Sequence, residues 1–418
     1  MFALVDAVAF YASAEKVFDP SIRKRPVVVL TNNDGCICAV SPEARLLNIP
    51  KFEPYFKLRK YLDQHNVVVR SSNYELYADL SNRMMNVIGR FCDNQHIYSI
   101  DESFLQFTGF SSIIEDWHQY GHDIRLAVWR ETKLPVGVGF GITPTLSKAA
   151  NHAAKKLEGF NGVAVIDDKY SAKAILERMA VTDVWGIGSR LGKKLNMMRI
   201  YTAQDLASQS PKNMRKQFSV VVERTVEELN GTVCLNWDEV KQVKQEIYST
   251  RSFGERVTSL HDLKSSLVTH CSIVGKKLRQ QASMTKKIII FAHSSQHENN
   301  FYKRSFMYEF PTPTNDSCVL ANAVNEVLPH IYAAGVRFYK AGIGAIELVS
   351  EQYLQSDLFN KSPDNKKLMQ SMDMINRRFG KGTISIASEQ QTQGWQMKRN
   401  FLSPRYTTRW CDIPKIQC

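Results

Sequence analysis

Apolar side chains dominate the first eleven residues of the chain, and a single acidic residue, Asp6, interrupts them. Such a run predicts a buried central strand over residues 2–6. A lone carboxylate inside a buried strand is costly unless a cation or a metal ion neutralises it. The pattern therefore predicts that Asp6 has a partner elsewhere in the fold.

A second pattern, over residues 96–107, combines β-branched and aromatic residues with two adjacent acids, Asp101 and Glu102. It predicts a hairpin that carries two carboxylates near its turn. By itself the acidic pair is also typical of an ordinary polar turn. If the hairpin lies beside the first strand, Asp6, Asp101 and Glu102 form a cluster suited to two magnesium ions, as used in in-line phosphoryl transfer.

The pattern of hydrophobic residues along the rest of the chain predicts two α+β units. The order strand 2–6, helix 75–91, hairpin 96–108, helix 113–131 and strand 135–141 is typical of a ferredoxin-like unit. Glycines alternate along the last of these strands, which favours close backbone packing over a phosphate-binding loop. The second unit is β-α-β-β-α-β with one exposed sheet face, over residues 246–257, 262–282, 286–293, 302–310, 316–333 and 336–348.

Composition narrows the class of protein. With 418 residues, 44% of them hydrophobic, we expect about three domains with packed cores. A net charge of +13 favours a polyanionic partner, either nucleic acid or an acidic membrane surface. Since no apolar run approaches the length of a membrane span and no basic leader precedes the first strand, we expect neither a membrane-spanning nor a secreted protein. The eight cysteines lack paired zinc spacing, so we expect reduced thiols in a cytoplasmic protein.

Two motifs resemble the catalytic motifs of Y-family translesion DNA polymerases. They are Val5-Asp6 with residues 9–13, and residues 98–102. Further blocks resemble the UmuC-like branch of that family, the catalytic subunit of bacterial DNA polymerase V, and lie at residues 31–36, 71–79, 151–156 and 402–408. The likeness extends from the first residue almost to the last.

The resemblance implies a multidomain α+β protein with the Y-family right-hand architecture. The implied domains are a ferredoxin-like palm (1–11 and 79–167), small fingers (12–78), a helical thumb with a helix-hairpin-helix (168–236), a linker (237–245), a little finger (246–349) and a C-terminal tail (350–418). The implied activity is error-prone, template-directed DNA synthesis on damaged DNA, of the type responsible for SOS mutagenesis. The implied location is the bacterial cytoplasm, associated with the nucleoid.

The resemblance also implies a role for each acid. Asp6, Asp101 and Glu102 would be catalytic and would bind two magnesium ions, joined by the backbone carbonyl of Ala7. These ions belong to a two-metal mechanism of nucleotidyl transfer.

Four further residues would bind the incoming nucleotide. Phe10 and Tyr11 close a buried strand and are by themselves typical core residues, but the tyrosine at the place of Tyr11 is the family's steric gate against ribonucleotides. Arg45 and Lys155 match the family's triphosphate-binding positions. Without the resemblance, Arg45 would be interpreted as a solvated surface arginine. Many family members carry a tyrosine where this chain has Pro42, so no phosphate contact is expected there.

Residues 184–191 resemble the hairpin of a helix-hairpin-helix, in which Gly186 and Gly188 permit a tight turn. Backbone N–H groups at such a turn can bind a DNA phosphate without reading bases, and Arg190 and Lys193 favour this function over an ordinary helix–helix turn. Further DNA-contacting candidates, each of which could equally be a solvated surface charge, are Arg251, Arg256, Lys303 and Arg304.

The C-terminal residues predict protein partners. Gln355, Asp357, Leu358 and Phe359 resemble the pentapeptide by which bacterial polymerases dock on the β sliding clamp. The resemblance further implies that the tail binds a processed UmuD-like dimer and that the active complex requires RecA, besides primer–template DNA and dNTPs.

Two other functions use part of the same residues. A nucleotidyl cyclase could place similar carboxylates on a palm, but it would not need the glycine hairpin or a basic second α+β unit. A catalytically silent DNA-binding repair factor would keep those parts and would not need the three acids.

Overall fold

The computed structural model describes residues 1–109, 113–235, 243–353, 362–380, 382–389 and 395–414. The chain divides into two compact units. The first comprises Met1–Lys241 together with Asn400–Cys418, and the second comprises Gln242–Arg399.

The central sheet of the first unit has five strands in the order β5-β6-β1-β7-β8. The bounds are β1 Phe2–Ala7, β5 Gln95–Ile97, β6 Glu102–Gln106, β7 Val136–Gly141 and β8 Val163–Ile166. Strand β1 pairs antiparallel with both β6 and β7, and β7 pairs parallel with β8. The predicted hairpin therefore does lie beside the first strand, which is buried as its apolar sequence predicts.

Four helices pack on this sheet or at its end: α1 Phe10–Val17, α4 Tyr74–Ile88, α5 Trp117–Thr132 and α6 Pro144–Lys156. Helix α5 begins four residues after its predicted start, because the Asp116 side chain accepts hydrogen bonds from the first-turn N–H groups and fixes the N-terminus.

Helix α6 approaches β7 unusually closely. A Cβ atom added to Gly139 would lie 2.0 Å from the Asn151 backbone nitrogen and 2.5 Å from the Ser147 carbonyl oxygen. Buried Asn151 donates hydrogen bonds across this contact to the carbonyl oxygens of Leu4 (3.0 Å) and Gly137 (2.8 Å). The strand glycines thus serve close packing, as predicted.

A smaller three-stranded sheet, ordered β3-β2-β4, completes the N-terminal part of this unit. Its strands are β2 Val27–Leu30, β3 Ile37–Val40 and β4 Val68–Ser71, and its helices are α2 Pro42–Arg45 and α3 Tyr55–Gln64. Ser41 caps α2 by accepting from the Ala44 N–H at 3.3 Å, and Pro42 occupies the first turn.

Residues 169–229 are helical, as expected of a thumb. The helices are α7 Lys169–Leu176, α8 Ser189–Met197, α9 Ala203–Ala207, α10 Pro211–Gln217 and α11 Val220–Leu229. They share a core with the adjoining face of α6, built from residues such as Leu146, Ile175 and Leu195.

The second unit has the predicted β-α-β-β-α-β order, and its four-stranded antiparallel sheet is ordered β11-β10-β12-β9. The bounds are β9 Ile247–Val257, α12 Leu260–Gln280, β10 Ser283–His293, β11 Lys303–Thr314, α13 Ser317–Ile331 and β12 Phe338–Ser350. Helices α12 and α13 cover the face that carries Ile288, Ile290 and Ile343. A further helix, α14 Lys366–Arg378, is held to α12 by an ion pair between Asp373 and Arg279 at 2.7 Å.

Within the described ranges, none of the helices combines the length and the apolar character needed to cross a bilayer. The described cysteines are free thiols.

Candidate active site

The structure brings the three predicted acids to one end of the central sheet. Asp6, the penultimate residue of β1, lies directly opposite Glu102, the first residue of β6. The neighbouring Ala7 N–H donates to the Asp101 carbonyl oxygen at 3.0 Å. Asp6, Ala7 and Asp101 line a pocket of 430 Å³, where Phe10 and Tyr11 also lie.

Two lysines on α6 pair with this acidic cluster. The Lys155 ammonium forms an ion pair with Asp6, and the Lys148 ammonium lies 3.1 and 3.3 Å from the two carboxylate oxygens of Glu102. Burial raises the pKa of Asp6 to about 6; Lys155 opposes this rise, whereas Glu102 and Asp101 add to it. The acids therefore repel one another in a poorly solvated place, and they attract cations.

The donor set fits hard divalent cations in its chemistry, because it consists of carboxylate oxygens beside a backbone carbonyl. Among the residues that the structure describes, there is no group of three or more acidic, histidine or cysteine side chains arranged to hold a metal ion. The ammonium groups of Lys148 and Lys155 contact the carboxylates that a metal ion would use.

Lys148 is a site residue that the sequence reasoning missed. Its ammonium lies 4.5 Å from the ring centroid of Tyr98 and 4.8 Å from that of Trp185, besides its contact with Glu102. The available signal was its spacing: Lys148 precedes Lys155 by two helical turns and so lies on the same face of α6.

An aromatic stack forms another wall of the pocket. The ring of Tyr11, in the first turn of α1, stacks on Tyr77 with centroids 4.5 Å apart, and Tyr74 meets it edge-on at 6.2 Å. Phe10 also lines the pocket, but its side chain is only 3% exposed and belongs to the core. Helix α1 follows Ala9, whose positive φ of 49° marks a sharp turn at the pocket.

Four cationic side chains also line the pocket, namely Arg45, Lys51, Lys155 and Lys156. The residues predicted from the sequence include Arg45 and Lys155 but not Lys51 or Lys156. Lys156 is more than half exposed and lies 3.5 Å from Asp183, while it also borders the pocket. Burial lowers the pKa of Lys51, and the positive charge of Arg45 lowers it further.

The predicted hairpin of the thumb is exposed. Gly186 has a φ of 87°, and Gly188 is the N-cap of α8, with nothing within 4 Å of the position that a Cβ would occupy. The side chains of Arg190 and Lys193, on the first turns of α8, are exposed. Backbone and side chains there are thus accessible to a large ligand.

The candidates of the second unit differ in exposure. Arg251 is half-buried on the face of β9 that carries Ile247 and Phe253, and burial lowers its pKa. Arg256 lies over the ring of Tyr339 at 4.7 Å and pairs with Glu298 at 3.4 Å. Lys303 and Arg304, at the start of β11, are exposed. The clamp-motif residues Gln355, Asp357, Leu358 and Phe359 lie outside the described residues.

Comparison with known proteins places these features in a family. Residues 5–152 match the impB/mucB/samB family and residues 244–358 match its C-terminal domain, while residues 366–416 match a domain of unknown function, DUF4113. Protein UmuC of Salmonella typhimurium is 43% identical over the full length of both chains, and protein SamB of the same organism is 40% identical over 99% of both. A solved Y-family DNA polymerase chimera of Dbh and Dpo4 shares the fold, with a TM-score of 0.63 at 18% identity over 84% of this chain and all of that one.

Proposed function

Because this chain belongs to the impB/mucB/samB family of Y-family DNA polymerases, we propose that its pocket carries out template-directed nucleotidyl transfer on damaged DNA. It is an error-prone translesion polymerase of the SOS-mutagenesis type, like its relative UmuC. The family and the right-hand α+β fold expected from the motifs are confirmed. The roles of individual residues and the domain bounds given above are our proposals.

The observation that carries the proposal is the position of Asp6 opposite Glu102, with Asp101 adjacent, at the edge of a pocket lined by cations. In the reaction, the primer 3′-hydroxyl attacks the α-phosphate of a dNTP and pyrophosphate leaves. Asp6, Asp101, Glu102 and the Ala7 carbonyl would hold two magnesium ions, which lower the pKa of the hydroxyl and neutralise the triphosphate when bound.

The lysines of α6 lie where they could serve both the acids and the triphosphate. Lys155 pairs with Asp6 in the structure, and with a metal ion at Asp6 its ammonium would be available to bind the triphosphate. Arg45 and Lys51 line the same pocket and would add positive charge there. Lys148 would be held near the site by its contacts with aromatic rings.

Tyr11 is proposed to select the sugar. Its rigid ring, held against Tyr77, can exclude a ribose by overlap with the 2′-hydroxyl and needs no polar partner for this. Phe10, as a buried neighbour, supports the backbone of the same turn.

The other proposed contacts extend beyond the pocket. The hairpin at Gly186 and Gly188, with Arg190 and Lys193, would bind DNA phosphates, and exposed charges of the second unit, together with Arg251 and Arg256, would follow the duplex. Residues 355–359 would dock on the β clamp, and the tail would bind a processed UmuD-like dimer in a complex that requires RecA. As an enzyme that copies DNA, such a protein would act at the bacterial nucleoid, in the cytoplasm.

The test is primer extension with magnesium, dNTPs and primed template, with the proposed partners present. The isosteric double variant Asp101→Asn/Glu102→Gln should lose at least about a thousandfold in rate, because it removes two charged ligands, yet it should retain primer–template affinity. Lys169→Gln is the control, since its side chain is exposed on α7.

Synthesis that survives in the double variant would contradict the metal assignment. Pyrophosphate release from a nucleotide without any primer would identify a cyclase instead. DNA binding by the wild-type chain with no synthesis under any of these conditions would identify a silent repair factor.

A further inference from the structure

The C-terminal part of the first unit includes a segment of turns and irregular backbone, Asn400–Asp412, that ends in one turn of 3-10 helix and that we call the C-terminal strap. The second unit separates it in sequence from the rest of the first unit. It lies within the match to a domain of unknown function, so that the comparison assigns it no role.

Backbone hydrogen bonds fasten the strap to the end of β4. The Phe401 N–H donates to the Ser71 hydroxyl and the Ser71 N–H donates to the Phe401 carbonyl, both at 3.0 Å. The Asn400 N–H donates to the Asp34 carboxylate at 2.7 Å. The ring of Tyr406 stacks on Phe18 with centroids 5.0 Å apart. The strap is therefore a docked part of the fold.

Ser403 is the most buried residue of the strap, at 5% exposure. The Asn73 side-chain amide donates to the Ser403 hydroxyl oxygen at 2.9 Å and to its carbonyl oxygen at 3.2 Å. Asn73 is itself fully buried and caps α4, because its side-chain oxygen accepts from the Leu76 N–H. The strap thus holds the N-terminus of the helix that carries Tyr74 and Tyr77.

The buried carboxylate of Glu15 also holds Tyr77. The Tyr77 hydroxyl donates to Glu15 at 2.6 Å, and burial raises the pKa of Glu15 while the Tyr77 hydrogen bond opposes the rise. Tyr77 is fully buried, and its ring is the surface on which Tyr11 stacks. Ser403 therefore reaches the ring of Tyr11 through Asn73 and the N-terminus of α4, and Glu15 holds the same Tyr77 at its hydroxyl.

We propose that the C-terminal strap is a positioning element for the sugar side of the nucleotide pocket, in which Ser403 fixes Tyr77 and thereby Tyr11. The inference rests on the proposed role of Tyr11 as the steric gate. Exclusion by overlap fails when the excluding ring can shift by a fraction of an ångström, so a gate needs a rigid support. Ser403, Asn73, Glu15 and Tyr77 are positioning residues in this account, and none of them touches substrate.

The experiment measures single-nucleotide insertion by the full chain, with the partners that the wild type needs, and compares kcat/KM for a dNTP with that for the matching rNTP. Ser403→Ala removes the strap's hydroxyl, and Tyr77→Phe removes the bond to Glu15 but keeps the stacked ring. Both should lower the dNTP/rNTP ratio by about fivefold, the effect of removing about one hydrogen bond. A variant that is only less stable lowers both kcat/KM values together and leaves the ratio unchanged.

The control is Trp410→Ala, which alters the strap at a side chain that is 90% exposed and should leave the ratio unchanged. Tyr11→Ala should lower the ratio further than either variant, and adding Ser403→Ala to it should have no additional effect on the ratio. A wild-type ratio in Ser403→Ala and Tyr77→Phe, with a lowered ratio in Tyr11→Ala, would refute the strap and leave the gate intact. An unchanged ratio in Tyr11→Ala would refute the gate itself, and the strap's action with it.

Discussion

Asp6 lies where its negative charge is costly. Its carboxylate is 15% exposed, it faces two other acids, and burial is the main cause of its raised pKa. A protein designed for stability alone would place a neutral residue in this strand. The proposed metal binding accounts for the charge, because a site for divalent cations needs ionised oxygens that are poorly solvated beforehand.

This cost predicts a pH dependence for the metal-free protein. The pKa of Asp6 is about 6 in the folded state and near the ordinary 3.8 in the unfolded chain. The folded state therefore holds the proton longer, so this group favours folding below about pH 4 and loses that contribution as the pH rises through 6. The free energy of unfolding of wild type relative to Asp6→Asn should fall by up to about 3 kcal/mol over that range.

Denaturant unfolding of both proteins in chelator at several pH values measures this difference, and subtraction removes the titration of all groups that the two chains share. A difference that does not change between pH 4 and 7 would show that Asp6 ionises normally in the folded protein.

The three acids were predicted from sequence because each stands out locally, as a charge in an apolar strand or as an adjacent pair at a turn. Lys51 was missed because nothing in its local sequence distinguishes it from a surface lysine, and Lys148 was missed because its only signal is its spacing from Lys155. Their roles come from tertiary contacts: the helix α6 that lies across β7, and a loop after α2 that borders the pocket. Such contacts have no local signature.

At the scale of elements, helix α6 places two lysine side chains beside the acids. Both Lys148 and Lys155 reach the cluster only because α6 approaches β7 without intervening side chains. The β7 glycines make that approach possible, and Asn151 fixes its register through two backbone carbonyls.

We therefore predict that Gly139→Ala is strongly destabilising. The added methyl would overlap the backbone of α6, which cannot move aside without breaking the Asn151 hydrogen bonds. We expect a loss of about 3 kcal/mol or more in the free energy of unfolding. Gly35→Ala is the matched control, because its φ is negative and its added methyl would make ordinary contacts at 3.4 and 3.5 Å. Equal thermal stability of the two variants would contradict the close-packing role.

The order of elements in the two predicted α+β units could be read from the sequence because hydrophobic periodicity is a local signal, as the β-α-β-β-α-β order shows. The observed helix starts differ from the predicted ones where an N-cap was overlooked. Asp116 caps α5, which begins four residues after its predicted start, and Ser259 caps α12, which begins two residues before its predicted start. The docking of the strap could not be predicted, since Asn73 and Ser403 are 330 residues apart and their pairing depends on the completed fold.

At the scale of the whole molecule, the net charge of +13 attracts a polyanionic substrate such as DNA. A polymerase that copies damaged templates benefits from holding DNA by its phosphates, because those contacts do not depend on intact bases. We propose that the exposed glycine hairpin of the thumb provides such contacts through backbone N–H groups and the cations of α8.

If the hairpin binds DNA through phosphates, the dependence of DNA affinity on salt concentration can be predicted. Removal of one cation that neutralises a phosphate should reduce the slope of log K against log salt by about 0.9 on duplex DNA. Arg190→Gln/Lys193→Gln should therefore weaken primer–template binding equally on every sequence and lower the slope by about 2, as measured by fluorescence anisotropy from about 50 to 300 mM salt. The pair Lys169→Gln/Lys173→Gln, on exposed positions of α7, changes the net charge equally and should leave the slope nearly unaltered. If both pairs shift the slope by the same amount, the hairpin contributes only general charge, and DNA must be held elsewhere on the molecule.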